Sequence, residues 1–156
     1  MSTATTASKV ATDPVVTALN KLLAQTYTLM GQTHQAHWNV EGPDFFQLHI
    51  AFENQYTALF EEVDELAERV RALGSFAEGG LKRLFELSGL TEIPSGRHSA
   101  KDFVAHLIEA HEKAVATAKE VEKAAAEADD LETQDLAIKQ TQAHQKTLWM
   151  LNSYLK

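Results

Sequence analysis

Residues 45–73 read FFQLHIAFENQYTALFEEVDELAERVRAL, and their apolar side chains recur every three or four positions. That period is typical of an α-helix that buries one face. The apolar stripe consists of Phe45, Leu48, Phe52, Tyr56, Leu59, Val63, Leu66, Val70 and Leu73. At about 1.5 Å per residue this helix is roughly 43 Å long, and Gly74 ends it. The stretch therefore predicts one long amphipathic helix.

The chain on the N-terminal side of this helix predicts another long one. Asp13-Pro14 combines an N-cap residue with a proline suited to the first helical position. Apolar residues then recur over 15–30, which predicts a helix to about His37. The next segment, Gly42-Pro43-Asp44, breaks the chain, and its aspartate is expected to cap the following helix.

The chain on the C-terminal side predicts two further long helices. Ser99 with Asp102 resembles a capping box that opens the first of them. Asp129-Asp130 marks a turn, and the last helix is expected over 131–154. The apolar sides of these helices are predicted to hold Phe103, Leu107, His111, Ala114, Ala118 and Val121, and then Leu136, Ala143, Leu148, Met150 and Leu151.

A short helix is expected around 81–87, between Gly79-Gly80 and Gly89. No strand-like alternation of apolar and polar residues stands out. Four long helices with an extended second-to-third connection predict an all-α fold, a ferritin-like four-helix bundle with a short extra helix in that connection. Residues 13–156 are expected to form this single domain, and the Thr/Ser/Ala-rich residues 1–12 a flexible tail.

Composition and charge disfavour several classes of protein. With 156 residues and 44% hydrophobic content, the chain is large enough to bury its own core. No apolar run approaches the roughly 20 residues of a membrane span, so no membrane partner is expected. Cysteine is absent, and the start lacks the basic and apolar regions of a signal peptide, which favours a cytoplasmic protein. The net charge of −8 argues against a nucleic-acid-binding surface.

Histidines and acids form a second stripe on the helix over 45–73. With His49 at zero on a helical wheel, Glu53, Asp64 and Glu68 fall at about 40°, 60° and 100°. The apolar residues from Phe52 to Val70 fall at roughly 260–340° on the same wheel, so the two stripes lie side by side. Imidazole and carboxylate ligands together suit first-row transition metals, iron included.

The axial spacing of these groups prevents one helix from forming the site alone. His49 lies roughly 22 Å from Asp64 and roughly 28 Å from Glu68 along the helix, whereas metal–ligand bonds are about 2 Å long. Two antiparallel copies of the helix would bring His49 and Glu53 of one chain opposite Asp64 and Glu68 of the other. A two-fold axis near Ala58-Leu59 would then create two equivalent sites, each closed by His37.

A plainer interpretation stays open on spacing alone. Acids at these positions are most often a solvated helix face, and the segment over 64–69 could simply form ion pairs on the helix surface. A single histidine such as His49 is more often a surface residue or a hydrogen-bonded core residue than a ligand.

At these residues the sequence resembles the Dps family, the mini-ferritins also called DNA-binding proteins from starved cells. The resemblance covers roughly residues 12–155. Its most specific segments are His37-Trp38-Asn39-Val40-Glu41-Gly42-Pro43-Asp44-Phe45-Phe46, Leu48-His49, Phe52, Tyr56 and Asp64-Glu65-Leu66-Ala67-Glu68-Arg69.

The resemblance implies a shell of twelve subunits that oxidises and stores iron. Its ferroxidase sites lie at two-fold interfaces, with His37, His49 and Glu53 from one subunit and Asp64 and Glu68 from its mate, and with two possible iron positions per site. Family members oxidise Fe(II), preferentially with hydrogen peroxide, and store ferric oxide-hydroxide inside the shell, which protects the cell from oxidative damage.

The resemblance also implies roles for residues outside the ligand set. Trp38 would quench stray oxidant, although an aromatic anchor at a helix end is an equally good interpretation. Asp130 and Asp135 resemble acids that line three-fold iron-entry pores, and they also suit the start of a helix without any pore. Glu61 and Glu65 would face the cavity as mineral nucleation sites.

The remaining histidines and the tail complete the expectations. His34 suits packing or support of the ligands, whereas structural or surface roles are expected for His98, His106, His111 and His144. The main alternative function is a nucleoid-associated shell that binds DNA and protects it physically. DNA-condensing relatives often use a lysine-rich tail, and this tail has only Lys9, so DNA binding is not expected. A third possibility is a structural bundle with a vestigial site.

Overall fold

Four long helices form a bundle in the computed structural model, which describes residues 13–156. In chain order the helices are α1 Pro14–Asn39, α2 Phe45–Ala72, α3 Leu81–Ser88, α4 Ala100–Glu127 and α5 Leu131–Tyr154. Helix α1 packs along α2 and α4, α5 packs along α4, and the short α3 packs on α1. The predicted all-α bundle with an extra helix in the second-to-third connection is confirmed, and the predicted tail over 1–12 lies outside the described residues.

No helix among the described residues is both long and apolar enough to cross a membrane.

The helix caps agree with the sequence at two positions and differ at a third. The Asp13 carboxylate accepts hydrogen bonds from the first backbone N–H groups of α1, and Ser99 Oγ accepts one from the Asp102 N–H. Both cap residues have an extended backbone, which aims the side chain at the helix. Asp44 has φ −98° and ψ 13° and makes no such bond; its carboxylate accepts one from the Tyr154 hydroxyl at 3.1 Å. Asp44 is therefore the N-cap residue of α2, as predicted, but its side chain does not cap the helix.

Helix α2 has one face in the core and another face uncovered. The predicted stripe is confirmed, because Leu48, Phe52, Leu59, Leu66 and Val70 are buried. Three large apolar side chains on the uncovered side are exposed in the single chain, and they are Phe46, Ile50 and Phe60. Burying apolar surface lowers the free energy, so an uncovered face of this kind favours contact with another surface.

The buried face of α5 is more polar than the sequence predicted. Met150, placed on the apolar side, is 45% exposed, whereas its neighbour Leu151 is only 4% exposed. The buried positions of α5 follow the helical period but carry mostly polar side chains: Thr133, Ala137, Gln140, Thr141, His144 and Leu151. The prediction that Met150 lies on the buried side of α5 is therefore wrong.

Polar side chains from three helices lie in the bundle interior, and we call them the polar layer: Glu62, His111, Gln140 and His144. His144 is hydrogen bonded to His111 and lies 3.9 Å from Glu62, and Gln140 is buried one turn before His144 on α5. The layer separates two clusters of buried apolar residues, because Leu59 belongs to one cluster and Leu66 to the other. Burial raises the pKa of Glu62 to about 7, and the Glu65 charge adds to this shift. Burial likewise lowers the pKa of His144 to about 4 and that of His111 well below its usual value.

Asp130 closes the start of α5 and links it to α2. Its carboxylate accepts a hydrogen bond from the Thr133 N–H at 3.0 Å, another from the Thr133 hydroxyl, and an ion-paired one from Arg69 at 2.9 Å. Burial alone would raise the pKa of Asp130, but the Thr133 hydrogen bonds and the Arg69 charge outweigh it and lower the pKa. The Asp130 carboxylate therefore stabilises this turn independently of its predicted role in a pore.

We expect Asp130→Ala to lower the free energy of unfolding by about 1–2 kcal/mol at pH 7, because α5 loses its cap. A carboxyl pKa lowered by folding contributes stability above its unfolded value, and this contribution is lost as the pH falls through the folded pKa. Urea denaturation at pH 7 and near pH 3 should thus show a difference from the wild type that shrinks in acid. Asp135→Ala, an exposed acid on the same helix, is the control; equal midpoints for both variants would contradict this assignment.

Candidate metal centre

The two predicted histidine ligands meet where α1 ends and α2 begins. The rings of His37 and His49 are stacked, with centroids 3.7 Å apart and an interplanar angle of 14°. His37 Nδ1 lies 2.7 Å from the carbonyl oxygen of His49, and His49 Nδ1 lies 2.8 Å from that of His37. A carbonyl oxygen only accepts, so both Nδ1 atoms carry the proton and each Nε2 keeps a lone pair that can bind a metal.

The end of α1 explains why this pair forms. Because α1 ends at Asn39, the carbonyl of His37 lies in the last turn and lacks a helical partner. The turn over 40–44 reverses the chain and brings His49 beside that carbonyl. The Phe45 ring stacks on His49 at 5.0 Å, and Tyr56 meets His37 edge-on at 5.2 Å. Aromatic packing thus restricts both imidazoles to one orientation.

The predicted carboxylate ligands lie on the uncovered side of α2. Glu53, Asp64 and Glu68 are all exposed. They share an arc of roughly 20–100° on the helical wheel with the exposed apolar residues of this helix. We call this surface the open face of α2, and it consists of Phe46, His49, Ile50, Glu53, Phe60, Asp64 and Glu68.

The single chain brings only part of the predicted ligand set together. His37 and His49 are in contact, whereas Asp64 and Glu68 lie farther along the same helix. Among the described residues, no group of three or more His, Asp or Glu side chains is placed to hold a metal ion. The sharing of ligands between two chains stays a prediction.

Aromatic side chains surround the histidine pair. Trp38 is exposed, and its ring lies 4.2 Å from that of His34. The other side of His34 meets the Tyr56 ring at 4.3 Å. His34 therefore packs between two aromatic rings. The sequence placed Tyr56 in the apolar stripe without predicting its contact with His37; its position two turns after His49 was the available signal.

The predicted nucleation and pore acids lie in different environments. Glu65 forms an ion pair with Lys139, with both oxygens 2.7–2.8 Å from Nζ, whereas Glu61 is exposed. Asp135 is exposed and lines a shallow depression that Glu68 also borders. Lys139 therefore offsets the charge of Glu65, and Glu61 and Asp135 stay accessible on the surface of the chain.

Histidines outside the pair have structural contacts. His98 Nε2 bonds to the Pro94 carbonyl oxygen at 2.7 Å, and His106 Nε2 bonds to that of Thr91 at 2.9 Å. His111 and His144 are buried and bonded to each other through Nδ1 at 2.9 Å. These contacts fit the surface or structural roles expected for His98 and His106, and they leave the Nε2 atoms of the buried pair without a partner.

Comparison with known proteins gives the family. A family model for the ferritin-like domain matches residues 16–156. The DNA protection during starvation protein of Brevibacillus brevis is 34% identical over 142 residues, which cover 91% of this chain and 95% of that protein.

Solved structures of Dps proteins have the same fold as this chain. Dps from Staphylococcus aureus matches with a TM-score of 0.87 and 34% identity, covering 91% of this chain and 95% of that one. Dps from Vibrio cholerae, described as a member of a broad superfamily of ferritin-like diiron-carboxylate proteins, matches with a TM-score of 0.86 and 29% identity, covering 91% and 89%. The family model, the relative and the solved structures agree with the ferritin-like fold of this chain, which therefore belongs to the Dps family of ferritin-like proteins.

Proposed function

We propose that this protein is a ferroxidase and iron-storage shell that oxidises Fe(II), preferentially with hydrogen peroxide. One observation carries the proposal: the His37 and His49 rings are fixed through Nδ1, which leaves both Nε2 atoms ready to bind a metal beside the open face of α2. Family membership supports iron as the metal, because a structural relative is described as a diiron-carboxylate protein. A vestigial bundle would not need this ordered pair.

Assembly through the open face of α2 would complete the site. Positions 49 and 68 are centred on 58.5, and so are positions 53 and 64. One two-fold axis that crosses the helix near Ala58-Leu59 would therefore bring position 49 opposite position 68 of the mate and position 53 opposite position 64. An antiparallel mate would place its Asp64 and Glu68 opposite Glu53 and His49. The same contact would bury Phe46, Ile50 and Phe60, which the single chain exposes. We therefore propose two-fold dimers as building blocks of a twelve-subunit shell.

The proposed ligands suit the chemistry of iron oxidation. Carboxylates of Glu53, Asp64 and Glu68 hold both Fe(II) and Fe(III), and the imidazoles help to retain Fe(II). Two Fe(II) ions give one electron each to one peroxide, whose O–O bond breaks; with two waters the products are two FeOOH and four protons. Two iron positions in one site would supply both electrons together and so avoid release of a hydroxyl radical.

Nearby residues would protect the site and receive its product. Trp38 is an exposed, electron-rich ring beside His37, which suits the quenching of stray oxidant. Asp130 and Asp135 would line an entry pore, with Asp130 also held by Arg69. Glu61 and Glu65 would receive ferric ions on the inner surface, with Glu61 the stronger candidate because Lys139 offsets the charge of Glu65.

DNA contact is not part of this proposal. The relatives are named for DNA protection, but a chain with a net charge of −8 would be repelled by phosphates. We propose that it acts in the cytoplasm by removing Fe(II) and peroxide together.

Anaerobic Fe(II) loading followed by peroxide tests the activity. We expect about two Fe(II) oxidised per peroxide, followed by growth of a ferric core. Asp64→Asn should slow oxidation about tenfold or more, because a ligand is lost, whereas Glu112→Gln, an exposed acid on α4, should leave the rate unchanged. Stopped-flow absorbance of Fe(III) gives both rates. Oxidation no faster than in buffer would refute the proposal.

Mixed dimers test whether the site is shared. A His37→Ala/His49→Ala variant and an Asp64→Asn/Glu68→Gln variant should each be nearly inactive alone. In a heterodimer of the two, one of the two sites keeps all its ligands, so co-expressed mixed shells should recover a measurable part of the wild-type rate. Native mass spectrometry verifies the mixing. If verified mixed shells stay inactive, the ligands do not come from two chains.

A further inference from the structure

Unpartnered polar atoms are concentrated in the polar layer. Glu62 Oε2, His111 Nε2, His144 Nε2 and both amide atoms of Gln140 are buried and have no hydrogen-bond partner within the protein. Leaving such an atom unpartnered costs about 1–3 kcal/mol, so buried polar atoms are normally paired. Five unpartnered polar atoms in one layer indicate a binding site for a ligand that would pair with them.

We propose that the polar layer binds one divalent first-row transition-metal ion per subunit, with Glu62, His144 and Gln140 as its protein ligands. Carboxylate, imidazole and amide oxygen are all donors that such ions accept. This site is separate from the shared centre, because Glu62 falls at about 220° on the wheel of α2, away from the open face.

The histidine pair in the layer has the arrangement of a supported ligand. His111 Nδ1 and His144 Nδ1 lie 2.9 Å apart, so one ring donates and the other accepts. When His144 donates, its Nε2 keeps a lone pair on the side of Glu62. A metal-binding histidine usually donates its other N–H to a fixed acceptor, and His111 is that acceptor here.

The distance across the gap suits an ion. His144 Nε2 and Glu62 Oε2 are 3.9 Å apart, too far for a hydrogen bond. Two metal–ligand bonds of about 2.0–2.2 Å can span up to about 4.4 Å, so an ion fits between these atoms. No third His, Asp or Glu of the described residues is placed to complete the group. The amide oxygen of Gln140, one turn from His144 on the same face of α5, supplies the third donor.

Charge and access favour the same ligand. Glu62 lies near Glu65, and the ammonium of Lys139 acts on both carboxylates but is paired with Glu65 at 2.7 Å. A bound divalent cation would supply the further positive charge that Lys139 does not provide to this buried carboxylate. His144 is 1% exposed, but Glu62 is 14% exposed, so an ion can enter from the side of Glu62.

Cobalt(II) binding tests the site apart from the shared centre. The parent is an Asp64→Ala/Glu68→Ala shell, which lacks the proposed acids of the two-fold site. Equilibrium dialysis should show that adding Glu62→Gln or His144→Gln removes about one cobalt per subunit, together with its visible absorption bands. Adding His106→Gln, which removes a histidine bonded outside the layer, should remove none.

A crystal of the same parent soaked in cobalt(II) tests the site without changing the layer. We expect an anomalous peak between Glu62 and His144. An ordered water without anomalous signal, or equal cobalt binding in all four shells, would overturn the proposal. Ferroxidase activity does not enter either readout, so this result stands apart from the fate of the shared centre.

Discussion

Helix α2 has one face that packs in the bundle core and another face that is exposed in the single chain, and the rest of the structure depends on this division. Its buried residues hold the bundle together, while the open face presents acids, a histidine and three exposed apolar side chains. The rise of the helix, about 1.5 Å per residue, separates these ligands by more than any ion can span. In the proposed assembly a second copy covers this face and completes the ligand set, so folding and assembly would depend on the same helix.

The histidine pair shows how local backbone geometry prepares a ligand. The carbonyl of His37 is left without a helical partner by the end of α1, and His49 uses it as an acceptor. The reciprocal bond from His37 fixes both tautomers before any metal arrives. An imidazole held in one orientation loses less rotational freedom on binding, which favours affinity. The turn over 40–44 therefore positions the histidine pair although it contributes neither imidazole.

Much of the fold could be predicted because it rests on periodicity. The burial of Phe52 and Leu66 follows from the 3.6-residue repeat, and the bounds of α2 follow from Gly42-Pro43-Asp44 before it and Gly74 after it. The missing side-chain cap at Asp44 could not be predicted, because this carboxylate bonds instead to Tyr154, which is distant in sequence. The exposure of Met150 could not be predicted either, because the buried side of α5 consists mostly of polar residues and an apolar pattern does not mark it.

The residues of the candidate site could be predicted from the sequence, but the contacts between the His37 and His49 side chains could not. Spacing indicated that His49 and Glu68 lie on one face of α2 and that His37 could close the site, and the resemblance implied the same residues. The stacking of the two rings depends on how α1 and α2 are joined, which no periodicity encodes. The polar layer was missed because His111 and His144 lie 33 residues apart, and each looks like a structural histidine until the helices meet.

Crystals of the assembled protein soaked anaerobically in Fe(II), with diffraction measured at the iron edge, test whether two subunits share each metal site. We expect anomalous peaks at each two-fold interface, bounded by His37, His49 and Glu53 of one subunit and by Asp64 and Glu68 of its mate. Iron bound at His37 and His49 with no carboxylate from a second subunit would contradict this expectation.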